Sequence, residues 1–284
     1  MLIMGLTGSF LRAHVPGGEA PSSWLPIYLH FLFVQNMQFT PYIGIPAAWF
    51  GATWSLAVEE QFYLVVPFFV RSVSRRALAR ILIGAIVLAP VIRLLVRHVV
   101  CASRGRQAAD LAVFFLTPCR ADALAIGMLA AILWRDLRFI DWARTHRFVM
   151  DAVFLALSVG VIALTRWSSS HDSIVMQVIG YTWLALFFAQ TLLISLSRPS
   201  GIVASLARMK WLRGLGGVSY CVYIVHLASL LLWRTLLAPA PQQAADWRTV
   251  AAGLPAALMT YVIAKFSLAF FERPMIRRGH AFTY

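Results

Sequence analysis

Long apolar runs, each about the length that crosses a lipid bilayer, follow one another along almost the whole chain. A membrane-spanning helix needs about 20 mostly apolar residues, because backbone polar groups in lipid must be satisfied within the segment. Full-length spans are predicted at Trp54–Val70, Leu78–Val99, Leu111–Trp134, Phe148–Trp167, Ile174–Leu196, Leu215–Leu236 and Val250–Phe271. Pro26–Phe39 is interpreted as a short or re-entrant helix, and Met1–Leu11 as a partial span. The sequence therefore predicts an all-α, polytopic membrane helix bundle of about 7–9 transmembrane segments.

The composition agrees with an integral membrane protein. Of 284 residues, 60% are hydrophobic and 13% are charged, whereas soluble domains are about 45–50% apolar. The net charge is +14, from 25 Lys and Arg against 11 Asp and Glu. A basic protein can bind nucleic acid, but here the arginines fall between apolar runs instead of on one face of a soluble domain. We therefore expect the lipid bilayer as a partner and no nucleic acid.

The loop arginines predict the orientation of the chain. One side receives fifteen Lys and Arg and the other receives seven, alternating from loop to loop. Cytoplasmic loops are enriched in Lys and Arg, so the richer side is predicted to be cytoplasmic, together with the C-terminus. The poorer side is assigned Arg93, Arg97, Arg104, Arg106, Arg166, Arg234 and Arg248. The same alternation, with no repeat or long linker, favours one membrane domain over residues 1–284.

The three cysteines carry no metal-ligand spacing, so we expect no bound metal. Cys101 and Cys119 could share the outer side and form a disulfide. The alternative is that the cysteines, Cys221 included, are small buried apolar residues.

Ionisable residues inside predicted spans are candidates for function, because charge in a bilayer is costly. At a rise of 1.5 Å per residue, Glu59 lies about 18 Å from the basic end of its span, and Asp122 and His226 about 20 Å from theirs. Arg120 lies slightly deeper than Asp122. Three helices therefore place ionisable groups at one depth, and we predict one polar cavity that collects them.

Each of these residues also has a structural interpretation. Glu59 and Arg120 could form a buried ion pair between two helices. His226 could be a core histidine whose ring bonds a backbone carbonyl. Arg120 and Asp122, just after Pro118, could cap the start of a helix near the outer interface.

Helical geometry separates the two adjacent glutamates. Ser55, Glu59 and Phe62 share one face, whereas Glu60 points about 100° away and is interpreted as a helix contact. Residues at the same spacing in a later span, Ser219, Tyr223 and His226, form a second polar face, which is poorly suited to contact with lipid.

Several motifs in a fixed order resemble one known family. The chain contains TWSLAVEEQFYL from Thr53, preceded by YLHFLFVQNMQF from Tyr28. It continues with CRADALAIGMLAA at Cys119–Ala131, GGVSYCVYIVHL at Gly216–Leu227 and FERP at Phe271–Pro274. The chain resembles the acyltransferase 3 family of bacterial inner-membrane O-acyltransferases over essentially its whole length.

The resemblance implies a transferase that takes an acyl group from cytoplasmic acyl-CoA, commonly acetyl-CoA, as a donor substrate. The acceptor is a hydroxyl of an extracytoplasmic glycan or lipid-linked saccharide, so O-acetylation and polysaccharide modification in the inner (plasma) membrane are expected. We take Glu59, which matches the family's invariant glutamate, and His226 as catalytic candidates. The substrate-binding candidates are Ser55, Tyr63, Arg120, Asp122, Ser219 and Tyr223. Arg120 is expected in the cavity, paired with Asp122 or Glu59.

One departure from the family pattern concerns catalysis. The family's first helix carries an Arg and, further along, a His taken as catalytic, and none of the seven histidines here fits that pattern. We expect this N-terminally truncated polypeptide by itself to be inactive or strongly impaired, through a late start codon or a degraded gene. The alternatives are a proton-coupled exporter, which also uses intramembrane charges, and a non-catalytic membrane partner.

Overall fold

The computed structural model describes residues 27–38, 51–168, 170, 172–237 and 247–280, and within these ranges it contains helices and no strand. The predicted partial span Met1–Leu11 lies outside them. The α-helices are α1 Ile27–Phe31, α2 Thr53–Ser72, α3 Arg75–Arg104, α4 Arg106–Phe115, α5 Thr117–Trp134, α6 Leu137–Thr145, α7 Arg147–Trp167, α8 Tyr181–Ser197, α9 Ile202–Ala207, α10 Lys210–Gly216, α11 Ser219–Leu237, α12 Trp247–Ser267 and α13 Arg273–His280. A 3₁₀ turn lies at Gln35–Gln38, and π-helical turns lie at Met176–Gly180 and Leu268–Glu272.

Six helical stretches in the described ranges are long and apolar enough to cross a membrane. They are Arg75–Arg104, Arg106–Trp134, Arg147–Trp167, Met176–Ser197, Ser219–Leu237 and Ala251–Gly279. Helix α2 has the predicted position but is not among the six, because Glu59, Glu60 and Gln61 lower its hydropathy. The prediction of a multi-pass, all-α membrane bundle is confirmed, and the count of six is roughly consistent with the predicted range.

Two helix boundaries differ from the sequence prediction. Residues 100–110, which lie between two predicted spans, are mostly helical, because α3 continues to Arg104 and α4 begins at Arg106. Gly105 ends α3 at φ +83°, a backbone conformation that glycine adopts at little cost. The span predicted at Leu111–Trp134 is two helices separated by the extended residue Leu116. Pro118 then occupies the first turn of α5, where its missing N–H costs no hydrogen bond.

The chain divides into two compact units. The larger unit comprises Ile27–Pro41 and Ser55–Met209. Within it, α3 packs against α4 and α5, and α8 packs against α5 and α7. One apolar cluster joins α3 to α5 through Leu78, Leu82 and Ala125. Another joins the far end of α5 to α6, α7 and α8.

The described part of the smaller unit comprises residues 51–54, 210–237 and 247–280. Its centre is the pair α11 and α12. Val218 and Cys221, at the start of α11, pack against Ala264 near the end of α12, so the two helices are antiparallel. The prediction of a single domain over residues 1–284 stays a prediction.

The cysteine thiols are free. Cys101 is exposed, whereas Cys119 and Cys221 are buried. The disulfide between Cys101 and Cys119 is therefore absent from the structure, and the alternative interpretation of buried residues holds for Cys119 and Cys221 but not for Cys101.

Candidate functional site

A closed ring of hydrogen bonds joins α2 to the segment before it and to the start of α5. The Gln61 amide donates to the Asn36 side-chain oxygen at 2.9 Å and to the Phe33 carbonyl at 2.6 Å. The Asn36 amide donates to the Thr117 hydroxyl at 2.9 Å and to the Phe115 carbonyl at 3.2 Å. The Thr117 hydroxyl donates in turn to the Gln61 side-chain oxygen. We call Gln61, Asn36 and Thr117 the amide ring.

The amide ring fixes the rotation of α2 about its axis. Ala57 and Val58 are buried on the side of α2 that Gln61 also occupies. At 100° per residue, Glu59 lies on the opposite side, and its side chain is exposed. Within the described ranges Glu59 has neither an ion-pair nor a hydrogen-bond partner. The interpretation of Glu59 as half of an ion pair with Arg120 therefore finds no support in this part of the chain.

Asp122 is fully buried, and Arg93 is its partner. The Arg93 side chain donates to the Asp122 carboxylate at 2.5 Å, to the Cys119 carbonyl at 2.7 Å and to the Thr182 hydroxyl at 3.0 Å. The Thr182 hydroxyl donates to the other Asp122 oxygen at 2.5 Å. Both oxygens of the carboxylate are thus occupied, which is the condition under which a buried ion pair is tolerated.

A second ion pair lies one turn further along α3. Arg97 donates to the carboxylate of Asp110 and to the side-chain oxygen of Gln177. The Gln177 amide donates back to Asp110 at 3.0 Å. Gln177 lies in the π-helical turn that precedes α8, and such turns are frequent at functional sites. We call Arg93, Asp122, Arg97 and Asp110 the ion-pair layer.

Arg120 is held between aromatic rings. Its guanidinium lies 4.2 Å from the centroid of the Tyr181 ring and 5.2 Å from that of the Phe114 ring. Contacts of this kind between a guanidinium and a ring face are attractive. Arg120 and Asp122 lie at the start of α5, the position given to them by the structural alternative and not by the predicted span. The Asp122 side chain does not cap the helix, because it bonds Arg93 and Thr182.

His226 lies in the smaller unit, on the same stretch of α11 as Tyr223. Its Nδ1 is 2.5 Å from the Tyr223 carbonyl oxygen, and the two rings are 5.7 Å apart. A carbonyl oxygen only accepts, so Nδ1 carries the hydrogen and Nε2 carries the lone pair. The hydroxyl of Ser219 donates to the Gly216 carbonyl at 2.8 Å. The backbone bond foreseen for His226 is present, but its ring is partly exposed instead of lying in a core.

The predicted shared cavity for Glu59, Asp122 and His226 stays a prediction. Glu59 and Asp122 belong to the larger unit, where one carboxylate is exposed and the other is enclosed by Arg93 and Thr182. His226 belongs to the smaller unit. In the described ranges no group of three or more His, Cys, Asp or Glu side chains could hold a metal ion.

The amide ring and the ion-pair layer were not predicted from the sequence, where Arg93 and Arg97 were only counted among the basic residues of the poorer side. A signal was present, since Arg93 and Arg97 are four residues apart in an apolar run and share one helix face. Their partners, Asp122 and Asp110, come from other helices and could not be identified from spacing.

The chain is similar to two bacterial proteins named for acetyl transfer. It is 25% identical over 268 residues to the peptidoglycan O-acetyltransferase OatA of Listeria monocytogenes, covering 92% of this chain and 40% of that protein. It is 23% identical over 229 residues to the O-acetyltransferase OatA of Staphylococcus aureus, covering 80% of this chain and 36% of that protein. The chain thus spans about two fifths of the length of these relatives. No solved structure matches it.

The family comparison covers most of the chain. The sequence model of the family described as "Acyltransferase domain" matches residues 1–266. This match includes the motif at Thr53, the Arg120 and Asp122 element and the polar face of α11. The chain therefore belongs to the acyltransferase 3 family of membrane acyltransferases.

Proposed function

We propose that the chain is the membrane domain of an O-acyltransferase that moves an acetyl group from acetyl-CoA to a hydroxyl of an extracytoplasmic glycan. The family membership, the membrane helices and the names of the two relatives support this proposal. Peptidoglycan, the polymer named for the Listeria protein, is the proposed acceptor. The proposed setting is the bacterial inner membrane, with the arginine-rich loops and the C-terminus in the cytoplasm.

The environment of Glu59 carries the proposal. The neighbouring Gln61 is fixed in the amide ring, while Glu59 has no partner in the described ranges. A carboxylate left unpaired in an apolar helix of a membrane protein is costly and marks a functional site by default. We assign Glu59 to the acceptor, as the group that receives a hydrogen bond from the sugar hydroxyl or orients a histidine. Ser55 and Tyr63 lie on the same helix and are assigned to acceptor binding.

Acyl transfer needs a proton acceptor for the attacking hydroxyl and donors for the oxyanion. In the proposed step, the hydroxyl oxygen attacks the thioester carbon and its proton passes to Nε2 of His226. The carbon–sulfur bond then breaks, and the thiolate of CoA takes up a proton as it leaves. The Tyr223 carbonyl supports this role, because it keeps the hydrogen of the ring on Nδ1. Arg120, Ser219 and Tyr223 are proposed to hydrogen-bond the substrates.

Asp122 is proposed to act by positioning. One of its oxygens accepts from Arg93 and the other from Thr182, so the carboxylate links α3, α5 and α8. Arg120 lies two residues earlier on α5. Arg120 in turn packs on Tyr181, the residue that precedes Thr182. Removing Asp122 would therefore displace Arg120 and lower activity indirectly.

The test is acetyl transfer in inverted membrane vesicles from cells that express the native gene. Labelled acetyl-CoA is added outside the vesicles, and covalent label in glycan is measured for the native protein, Glu59→Gln and the matched control Glu60→Gln. Proton transfer by a positioned group contributes about 10²–10⁴-fold in rate, and Glu59 is proposed to position the hydroxyl or the histidine that exchange the proton. We therefore expect a loss in this range for Glu59→Gln and near-native transfer for Glu60→Gln. Unchanged transfer in Glu59→Gln would refute the assignment.

The same vesicles distinguish the alternatives. Label that enters the lumen without becoming covalently attached to glycan would indicate an exporter.

A further inference from the structure

The larger unit contains a cavity of about 480 Å³ at the arginine-rich end of α3 and α5. Its walls are the end of α2, the start of α3 and the last turns of α5. The lining side chains are Val70, Val73, Arg75, Leu78, Met128, Ala131, Ile132 and Arg135. The volume is in the range of small-molecule sites, about 300–1,000 Å³. None of these residues belongs to the amide ring, the ion-pair layer or the candidate catalytic groups.

Six of the eight lining residues are aliphatic or thioether side chains, and the other two are arginines. Arg75 donates to the Ile132 carbonyl at 2.5 Å, which holds its guanidinium beside the cavity. The Asp136 carboxylate lies 4.0 Å from the same guanidinium, with both side chains about half exposed. An exposed pair at that distance is weak, so Arg75 remains available to an anion. Arg135 follows the last turn of α5 and is exposed.

This arrangement fits an amphiphile with an apolar chain and an anionic head. The apolar wall can take an acyl chain, while two guanidinium groups can bind a phosphate. Basic pockets between membrane helices bind phospholipid head groups in this way. The cavity also lies where two membrane-spanning stretches reach their arginine-rich ends, which is the level of lipid phosphates.

We propose that this cavity binds an anionic phospholipid, whose phosphate lies between Arg75 and Arg135 and whose acyl chain lies against Leu78, Met128 and Ile132. Acyl-CoA also combines a phosphate with an acyl group. The lining favours the phospholipid, because none of the eight side chains is aromatic and none is an amide or hydroxyl that would recognise an adenine ring or the pantetheine amides. The site would stabilise the contact between α2, α3 and α5, and it does not depend on the acyl transfer proposed above.

The test is native mass spectrometry of the whole protein released from nanodiscs of phosphatidylglycerol or phosphatidylcholine. The variant is Arg75→Gln with Arg135→Gln. The matched control is Arg76→Gln with Arg138→Gln, which removes the same charge from exposed arginines outside the cavity. A lipid-facing arginine contributes a factor of about five in affinity, so the double variant should bind phosphatidylglycerol about 25-fold more weakly than the control.

A second variant separates lipid binding from loss of the Arg75 hydrogen bond. Ala131→Phe keeps both arginines and fills the apolar part of the cavity, and it should also lose the lipid adduct. Three results would overturn the proposal. The first is equal retention of phosphatidylglycerol by the double arginine variant and its matched control. The second is retention of phosphatidylcholine by the native protein to the same extent as phosphatidylglycerol. The third is displacement of the bound lipid by CoA.

Discussion

Helix α2 and the helices of the ion-pair layer both contain charged residues within apolar sequence, but the environments of those charges differ. Asp122 is enclosed by Arg93 and Thr182, with both oxygens bonded. Glu59 is exposed, and its part of α2 is anchored by Gln61 instead. A satisfied charge binds helices together, whereas an unsatisfied one retains the capacity to bind something else. We therefore propose that Asp122 belongs to the scaffold and that Glu59 takes part in the chemistry.

The largest expected effect comes from breaking the Arg93–Asp122 pair. Asp122→Leu leaves the Arg93 guanidinium buried without a carboxylate, and breaking such a pair costs about 3–5 kcal/mol. The free energy of unfolding in mixed micelles measures the loss. The double variant Arg93→Met, Asp122→Leu removes both charges and should recover most of it. If the double variant is less stable than Asp122→Leu, the pair does not account for the stability.

The next effect comes from opening the amide ring. Gln61→Leu leaves the buried Asn36 amide and the partly buried Thr117 hydroxyl short of a partner, which costs about 1–3 kcal/mol. Because α2 then loses its fixed rotation, acetyl transfer should fall together with stability. The neighbouring substitution Glu60→Leu serves as the control. If Gln61→Leu and Glu60→Leu have equal unfolding free energies, the amide ring does not position α2.

A smaller effect is expected at Arg120. Arg120→Lys keeps the charge but loses the planar group that lies on Tyr181 and Phe114, at a cost of about 0.5–2 kcal/mol. Tyr181→Leu removes the ring face and should lower the unfolding free energy by at least as much, whereas Tyr181→Phe keeps the ring and should lose less. If Tyr181→Phe is destabilised as much as Arg120→Lys, the phenol hydroxyl, and not the ring face, carries the interaction.

Much of the fold follows from the sequence, because the thickness of a bilayer sets the length of each apolar run. The positions of α3, α7 and α8 were predictable for this reason. The break at Leu116 was indicated only as an alternative, by Pro118, since residues 111–134 are apolar apart from Thr117, Arg120 and Asp122 and also fit one continuous span. The end of α3 beyond Val99 also escaped prediction, because the hydrophilic residues at its end interrupt the apolar run from which the span was predicted.

The candidate site was only partly predictable for a related reason. Helical periodicity correctly places the side chains of Glu59 and Glu60 on different faces of α2, because the direction of a side chain around a helix depends on that helix alone. The partner of Asp122 depends on how three helices pack, so the sequence suggested Arg120 where the structure has Arg93. Gln61 was noted only as part of a motif, and its role depends on Asn36, 25 residues earlier.

The most direct test measures acetyl transfer and unfolding free energy for Glu59→Gln and Asp122→Asn in the same preparations. We predict that Glu59→Gln loses transfer by about 10²-fold or more while its unfolding free energy stays within about 0.5 kcal/mol of native. Asp122→Asn should lose stability and transfer together. Native transfer in Glu59→Gln, or a loss of its stability as large as that of Asp122→Asn, would contradict the assignment of one carboxylate to chemistry and the other to the scaffold.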